Sequence, residues 1–169
     1  MRSITNPALL VGVALPLLGG CRTAGTIEEA NGALDAWHLA ASRADEDAYF
    51  GAMTADAVFL GTDASERWTK RDFRDWSEPY FDRDEAWTYT PRERFVMLGD
   101  DARFAWFDEL LEQRRYGTAR GTGVLLWDKN AARWKIAHYS LTFPIPNAIA
   151  EDVTRQIIEH ERTREDPED

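Results

Sequence analysis

The chain reads as an α+β domain in which helices pack on one face of a curved antiparallel sheet. Two observations predict this. Apolar residues recur at helical spacing in most segments up to Phe81, and from Trp87 onward the repeat falls to two residues. A helical stripe and a sheet face each need an apolar partner, so the two parts are expected to bury one another.

The elements follow in order. Thr26 opens a first helix as a capping box, because Glu29 stands three residues on and can reach back to the Thr26 amide. Ile27, Ala30, Leu34, Trp37 and Ala41 then share one face, with His38 a boundary residue beside Trp37. A short helix is expected over residues 45–53, turning Tyr49, Phe50 and Met53 inward. Ala57-Val58-Phe59-Leu60 reads as a buried strand ended by Gly61. Thr69 can cap a third helix to Phe81, with Phe73, Trp76 and Tyr80 on one face. Residues 87–98, 102–111, 117–128 and 133–143 alternate, separated by turn residues such as Gly99-Asp100 and Asp128-Lys129-Asn130, and should pair as an antiparallel meander. Asn147 can cap a terminal helix with a narrow stripe of Ile149, Val153 and Ile157, whose charged end is expected to fray.

The first twenty residues have a different character. Arg2 precedes an apolar run from Ala8 to Leu18, about eleven residues, too short for a permanent span of roughly twenty and suited to a signal-peptide core. Leu18-Gly19-Gly20-Cys21 resembles the lipobox of bacterial lipoproteins, which implies a lipid on Cys21, the single cysteine. The expected organisation is a signal peptide at 1–20, a tether at 21–25, a domain at 26–147, and a terminal helix with a charged tail at 148–169. The chain would then sit in the cell envelope with the membrane as partner. Arg22 stands where an aspartate would signal inner-membrane retention, favouring the periplasmic face of the outer membrane in a Gram-negative source.

Thirty acidic residues stand against 20 basic ones; without Arg2 the balance is 30 to 19, or −11. Such a charge disfavours nucleic acid as a partner. Three scattered histidines lack metal-ligand spacing. No glycine-rich phosphate loop or nucleophile elbow is present, and no cofactor is expected.

Three segments carry a family resemblance: Trp134-Lys135-Ile136-Ala137-His138-Tyr139-Ser140, Gly61-Thr62-Asp63-Ala64-Ser65-Glu66-Arg67-Trp68, and Ala105-Trp106-Phe107-Asp108-Glu109. With the element order they resemble the SnoaL-like branch of the nuclear-transport-factor-2-like superfamily, over roughly residues 27–147. The resemblance implies a cone-shaped domain with a pocket between sheet and helices, and often a homodimer through the outer sheet face. That superfamily spans isomerases, dehydratases, cyclases, ligand binders and association modules, and fold alone does not choose among them.

Strand parity nominates pocket residues, since alternate side chains share a face. Phe104, Trp106, Asp108 and Leu110 are the more apolar set and are expected inward. Trp134, Ile136, His138 and Ser140 are assigned inward likewise, and Arg120, Thr122, Val124 and Leu126 are favoured over a face of small residues. Asp108, Arg120 and His138 beneath Trp68 and Trp106 would then form a polar cluster in an apolar cup, suited to a small, largely apolar ligand. The alternatives are a cofactor-independent isomerase, dehydratase or cyclase using Asp108 or His138 for proton transfer, and an interaction module dimerising through Tyr139 and Leu141.

Overall fold

The computed structural model describes residues 24–165; the proposed signal peptide and Cys21 lie outside them. Helix α1 spans Ile27–Ser42, and its capping box is formed in both directions between Thr26 and Glu29. Ala30, Leu34, Trp37 and Ala41 are buried as the spacing predicts, whereas Ile27 is exposed and His38 is buried. Helix α2 covers Glu46–Gly51, capped by Asp45, and α3 covers Lys70–Phe81, capped by the Thr69 side chain.

The strands are β1 (Met53–Leu60), β2 (Arg67–Thr69), β3 (Thr90–Leu98), β4 (Phe104–Gln113), β5 (Gly117–Asp128) and β6 (Arg133–Thr142). They form one six-stranded sheet in the order β2-β1-β6-β5-β4-β3. The last four make the expected meander. β1 lies parallel to β6, which places the early strand beside the late one, and the short β2 continues the sheet beyond it. Helix α4 (Ala150–Glu165) follows a 3₁₀ turn and is helical as far as the described residues extend into the charged end expected to fray. Val153 is half-buried, and every other residue from 151 to 163 is exposed. Among the described residues no helix is long and apolar enough to cross a membrane.

The inner face of the sheet is the opposite of the one expected on β4 and β5. Ala105, Phe107, Glu109 and Leu111 are buried, as are Ala119, Gly121, Gly123 and Leu125. The small residues face inward because their neighbours need the volume. A Cβ on Gly121 would come within 3.0 Å of the Tyr139 hydroxyl and of Glu109, and one on Gly123 within 3.0 Å of the Phe107 ring. Close packing therefore selects glycine at these two positions.

On β6 the parity itself changes. Val124 pairs with His138 but Leu125 pairs with Ile136, leaving Ala137 as an extra residue in a bulge. Trp134 and Ile136 are buried as expected. Beyond the bulge Tyr139 and Leu141 take the inner face, and His138 and Ser140 turn outward.

Candidate functional site

These reversals dismantle the expected polar cup. Asp108 pairs with Thr122 on the outer face, Arg120 is exposed between Leu110 and Thr142, and His138 pairs outward with Val124. Among the described residues no ion pair joins Asp108 to Arg120. Trp106 is 43% exposed and lies against Phe104 on the same outer face, ring centres 5.9 Å apart. Tyr139 and Leu141, expected at an interface, are core residues. Asp108 and His138 are thus on the wrong side of the sheet to move a proton inside it. Of the nominated set, Trp68 points to the helical side: it pairs with the inward Phe59 and lines a cavity there.

That cavity holds about 380 Å³, within the range of small-molecule sites. It opens between α3, the β1–β2 loop and the chain leading into β3. Its wall is formed by Phe59, Trp68, Phe73, Trp76, Tyr80, Trp87, Tyr89, Tyr116 and Phe143, with Leu141, Gly61, Thr62 and Glu66 completing it. Six of the rings (Phe59, Trp68, Phe73, Trp76, Tyr80 and Trp87) pack on one another, and Tyr116 packs on Phe143. Phe59 stacks on Phe73 at 4.1 Å, Phe73 on Trp76 at 6.0 Å, and Trp76 on Trp68 at 5.6 Å. The helical spacing of Phe73, Trp76 and Tyr80 had placed them on one face; that face is divided between core and cavity, with Phe73 buried and Trp76 41% exposed.

Glu66 is the one ionisable carboxylate of the wall. Its side chain folds back over its own loop, accepting from the Asp63 amide at 3.2 Å, while Gly61 N–H donates to the Glu66 carbonyl at 2.9 Å. A Cβ at Gly61 would collide with that carboxylate, so glycine leaves room for it. Burial raises the Tyr89 hydroxyl above its usual pKa, and the nearby Tyr116 and Glu66 raise it further.

A second polar centre lies deeper. Glu109 on β4 is 1% exposed and accepts three hydrogen bonds: from His38 Nε2 at 2.8 Å and Tyr139 O–H at 2.9 Å on Oε1, and from Arg94 Nε at 2.8 Å on Oε2. Arg94 also donates to Asp35 at 2.7 Å and to the Asn31 carbonyl at 3.2 Å, tying β3 to α1. Burial alone would push the Glu109 carboxyl up, but the His38 hydrogen bond and charge, then those of Arg94, hold it below its ordinary 4.5. The Tyr139 hydroxyl is pushed well up, by burial and then by the Glu109 charge. A void of about 20 Å³ beside His38 and Tyr139 shares Phe59, Trp87, Tyr89 and Leu141 with the aromatic cavity. These four side chains stand between the two spaces. The carboxylate has its donors already, so the centre acts as a structural clamp.

Sequence reasoning gave Glu109, Arg94 and Asp35 no role in a site and left His38 as a boundary residue of the first helix. A signal was present, since Asp35 and His38 sit three apart at the edge of the buried stripe of α1 and both lack a local partner.

The curved six-stranded sheet with helices over one face is similar in fold to nuclear-transport-factor-2-like proteins. A protein of that class from Pseudomonas putida, of unknown function, superposes with a TM-score of 0.57 at 14% identity, covering 71% of this chain and 87% of its own. Within the class, the sequence pattern of the SnoaL-like domain matches residues 30–146, and the chain belongs to that family. Two further structures are similar in fold. One, from Xanthomonas campestris, is provisionally assigned as a calcium/calmodulin-dependent protein kinase II association domain (TM-score 0.54, 20% identity, 73% of this chain and 90% of that one). The other, from Shewanella frigidimarina, is provisionally assigned as a ketosteroid isomerase (0.52, 16%, 67% and 94%). No curated protein sequence matches the chain.

Proposed function

We propose that this SnoaL-like domain binds a small, largely apolar molecule in the aromatic cavity and is held at a membrane by a lipid on Cys21. The observation that supports the binding reading is the wall itself: nine of its thirteen residues are aromatic, in a space of about 380 Å³. Exposed rings cost solvation free energy unless something covers them. The test uses N-phenyl-1-naphthylamine, an uncharged dye that brightens in apolar surroundings. Saturable brightening at one dye per chain, weakened at least tenfold in Trp76→Ala, is expected. Absence of saturable binding, or binding undiminished from wild type in both Trp76→Ala and Trp68→Ala, would remove the cavity as a ligand site.

A second reading concerns assembly. Phe95, Phe104, Trp106 and Leu126 are each at least 40% exposed on the outer sheet face, a surface suited to a second copy of the chain in a homodimer. Sedimentation should give a dimer that Trp106→Glu converts to monomer; a monomeric wild type at tens of micromolar would exclude this pairing.

A further inference from the structure

We propose that the cavity selects an organic cation, an alkylated ammonium group carried on a small apolar body. This deepens the reading of the cavity as a ligand site and rests on it.

Charge and ring chemistry point the same way. The wall contains the Glu66 carboxylate and no lysine, arginine or histidine. A neutral or anionic ligand filling the space would strip water from that carboxylate without replacing it, at a cost in free energy. A cation reverses the sign of this contribution. Its positive charge would pair with Glu66, and its methyl groups would lie against the electron-rich faces of the tryptophans and tyrosines, the arrangement that attracts cations most strongly when water is excluded.

The rings are disposed for this. Trp76 and Tyr80 lie 5.1 Å apart and tilted by 31°, while Tyr80 and Trp87 meet at 64°. The wall therefore presents ring faces from more than one direction, as a cage requires. Two of its rings already hold a positive group: the Arg83 guanidinium sits 4.8 Å from the Tyr80 ring centre and that of Arg115 5.1 Å from Tyr116. Both arginines are exposed and neither lines the cavity, so salt and water screen their repulsion of an incoming cation. The chain's net charge of −10 adds a long-range attraction of the same sign.

The carboxylate is placed rather than incidental. The loop 61–66 is closed by the Gly61–Glu66 backbone bond, and Asp63 accepts from the Ser65 amide and hydroxyl at 2.8 and 2.5 Å. Glu66 is thereby held over the loop at the cavity's edge.

The probes are benzyltrimethylammonium and its uncharged carbon isostere neopentylbenzene, compared as competitors of bound N-phenyl-1-naphthylamine and directly by quenching of tryptophan emission. The cation should bind at least tenfold more tightly than the isostere. Glu66→Gln should lower cation affinity at least tenfold while the uncharged isostere and dye bind as well as before or more tightly, with an unaltered melting temperature confirming the fold. If the dye binds but the isostere matches or exceeds the cation, or Glu66→Gln weakens both alike, the cation proposal is overturned and the apolar site stands. If dye, cation and isostere all fail to bind, both readings fall.

Discussion

The Nε2 of His38 lies 2.8 Å from the Oε1 of Glu109, across 71 positions of chain, and the contact is buried on both sides. It joins the first helix to a central strand, while Arg94 secures the other carboxylate oxygen and carries the link on to Asp35. A carboxylate with no exposure to water keeps its charge only because these donors replace the water it has lost.

Removing that charge should therefore cost far more than removing the one next to it. Glu109→Gln leaves the Arg94 guanidinium, whose side chain is 7% exposed, without its buried partner, and is expected to destabilise the fold by about 3–5 kcal/mol. Asp108→Asn, on the outer face, should change stability by less than about 0.5 kcal/mol. Urea unfolding of the two variants checks the assignment of faces; a reversed order would place Asp108 inside.

The same clamp predicts a pH dependence with a definite sign. The folded Glu109 carboxyl sits below its ordinary 4.5, so the unfolded chain binds a proton more readily than the folded one. Its contribution is fully present above pH 4.5 and is lost as pH falls through the folded value. The stability gap between wild type and Glu109→Gln should accordingly narrow on acidification below 4.5. A gap that stays constant down to acid unfolding would contradict the clamp.

Two glycines should respond oppositely to an added methyl. Gly121 faces the Tyr139 hydroxyl and Glu109, and Gly121→Ala is expected to cost about 1–3 kcal/mol by overpacking. Gly32 lies in α1 with nothing within 4 Å of its notional Cβ, so Gly32→Ala should stabilise by about 0.5–1 kcal/mol. Equal effects in denaturant titrations would be inconsistent with this packing.

The lipid anchor rests on Leu18-Gly19-Gly20-Cys21 and is tested outside the folded domain. Cells producing the chain and fed an alkyne-tagged fatty acid should label it, and Cys21→Ser should abolish the label. Label retained in Cys21→Ser would rule out that cysteine as the acceptor.

The local elements were legible from residues close to one another in the chain. Thr26 with Glu29, Thr69 before Lys70, and the alternation from Gly117 to Asp128 each announce their own helix start or strand, because a cap needs only the next turn and a pleat only the next residue but one. So were the helix-on-sheet class and the family. Which face of each strand is buried is another kind of question. Ranking Phe104, Trp106, Asp108 and Leu110 as inward by their apolar weight failed, since the inner volume opposite Gly121 and Gly123 is filled by Tyr139, Phe107 and Glu109 from neighbouring strands. The extra residue at Ala137 then reversed the parity within a single strand, and alternation alone cannot register such a bulge. The buried carboxylate escaped notice for the same reason. Glu109 is an ordinary polar residue until His38, Arg94 and Tyr139 surround it, and they come from a helix and two other strands. Periodicity and capping are short-range and are written in adjacent residues; face choice, bulge and charge pairing depend on volumes and partners that meet only when the sheet closes on its helices.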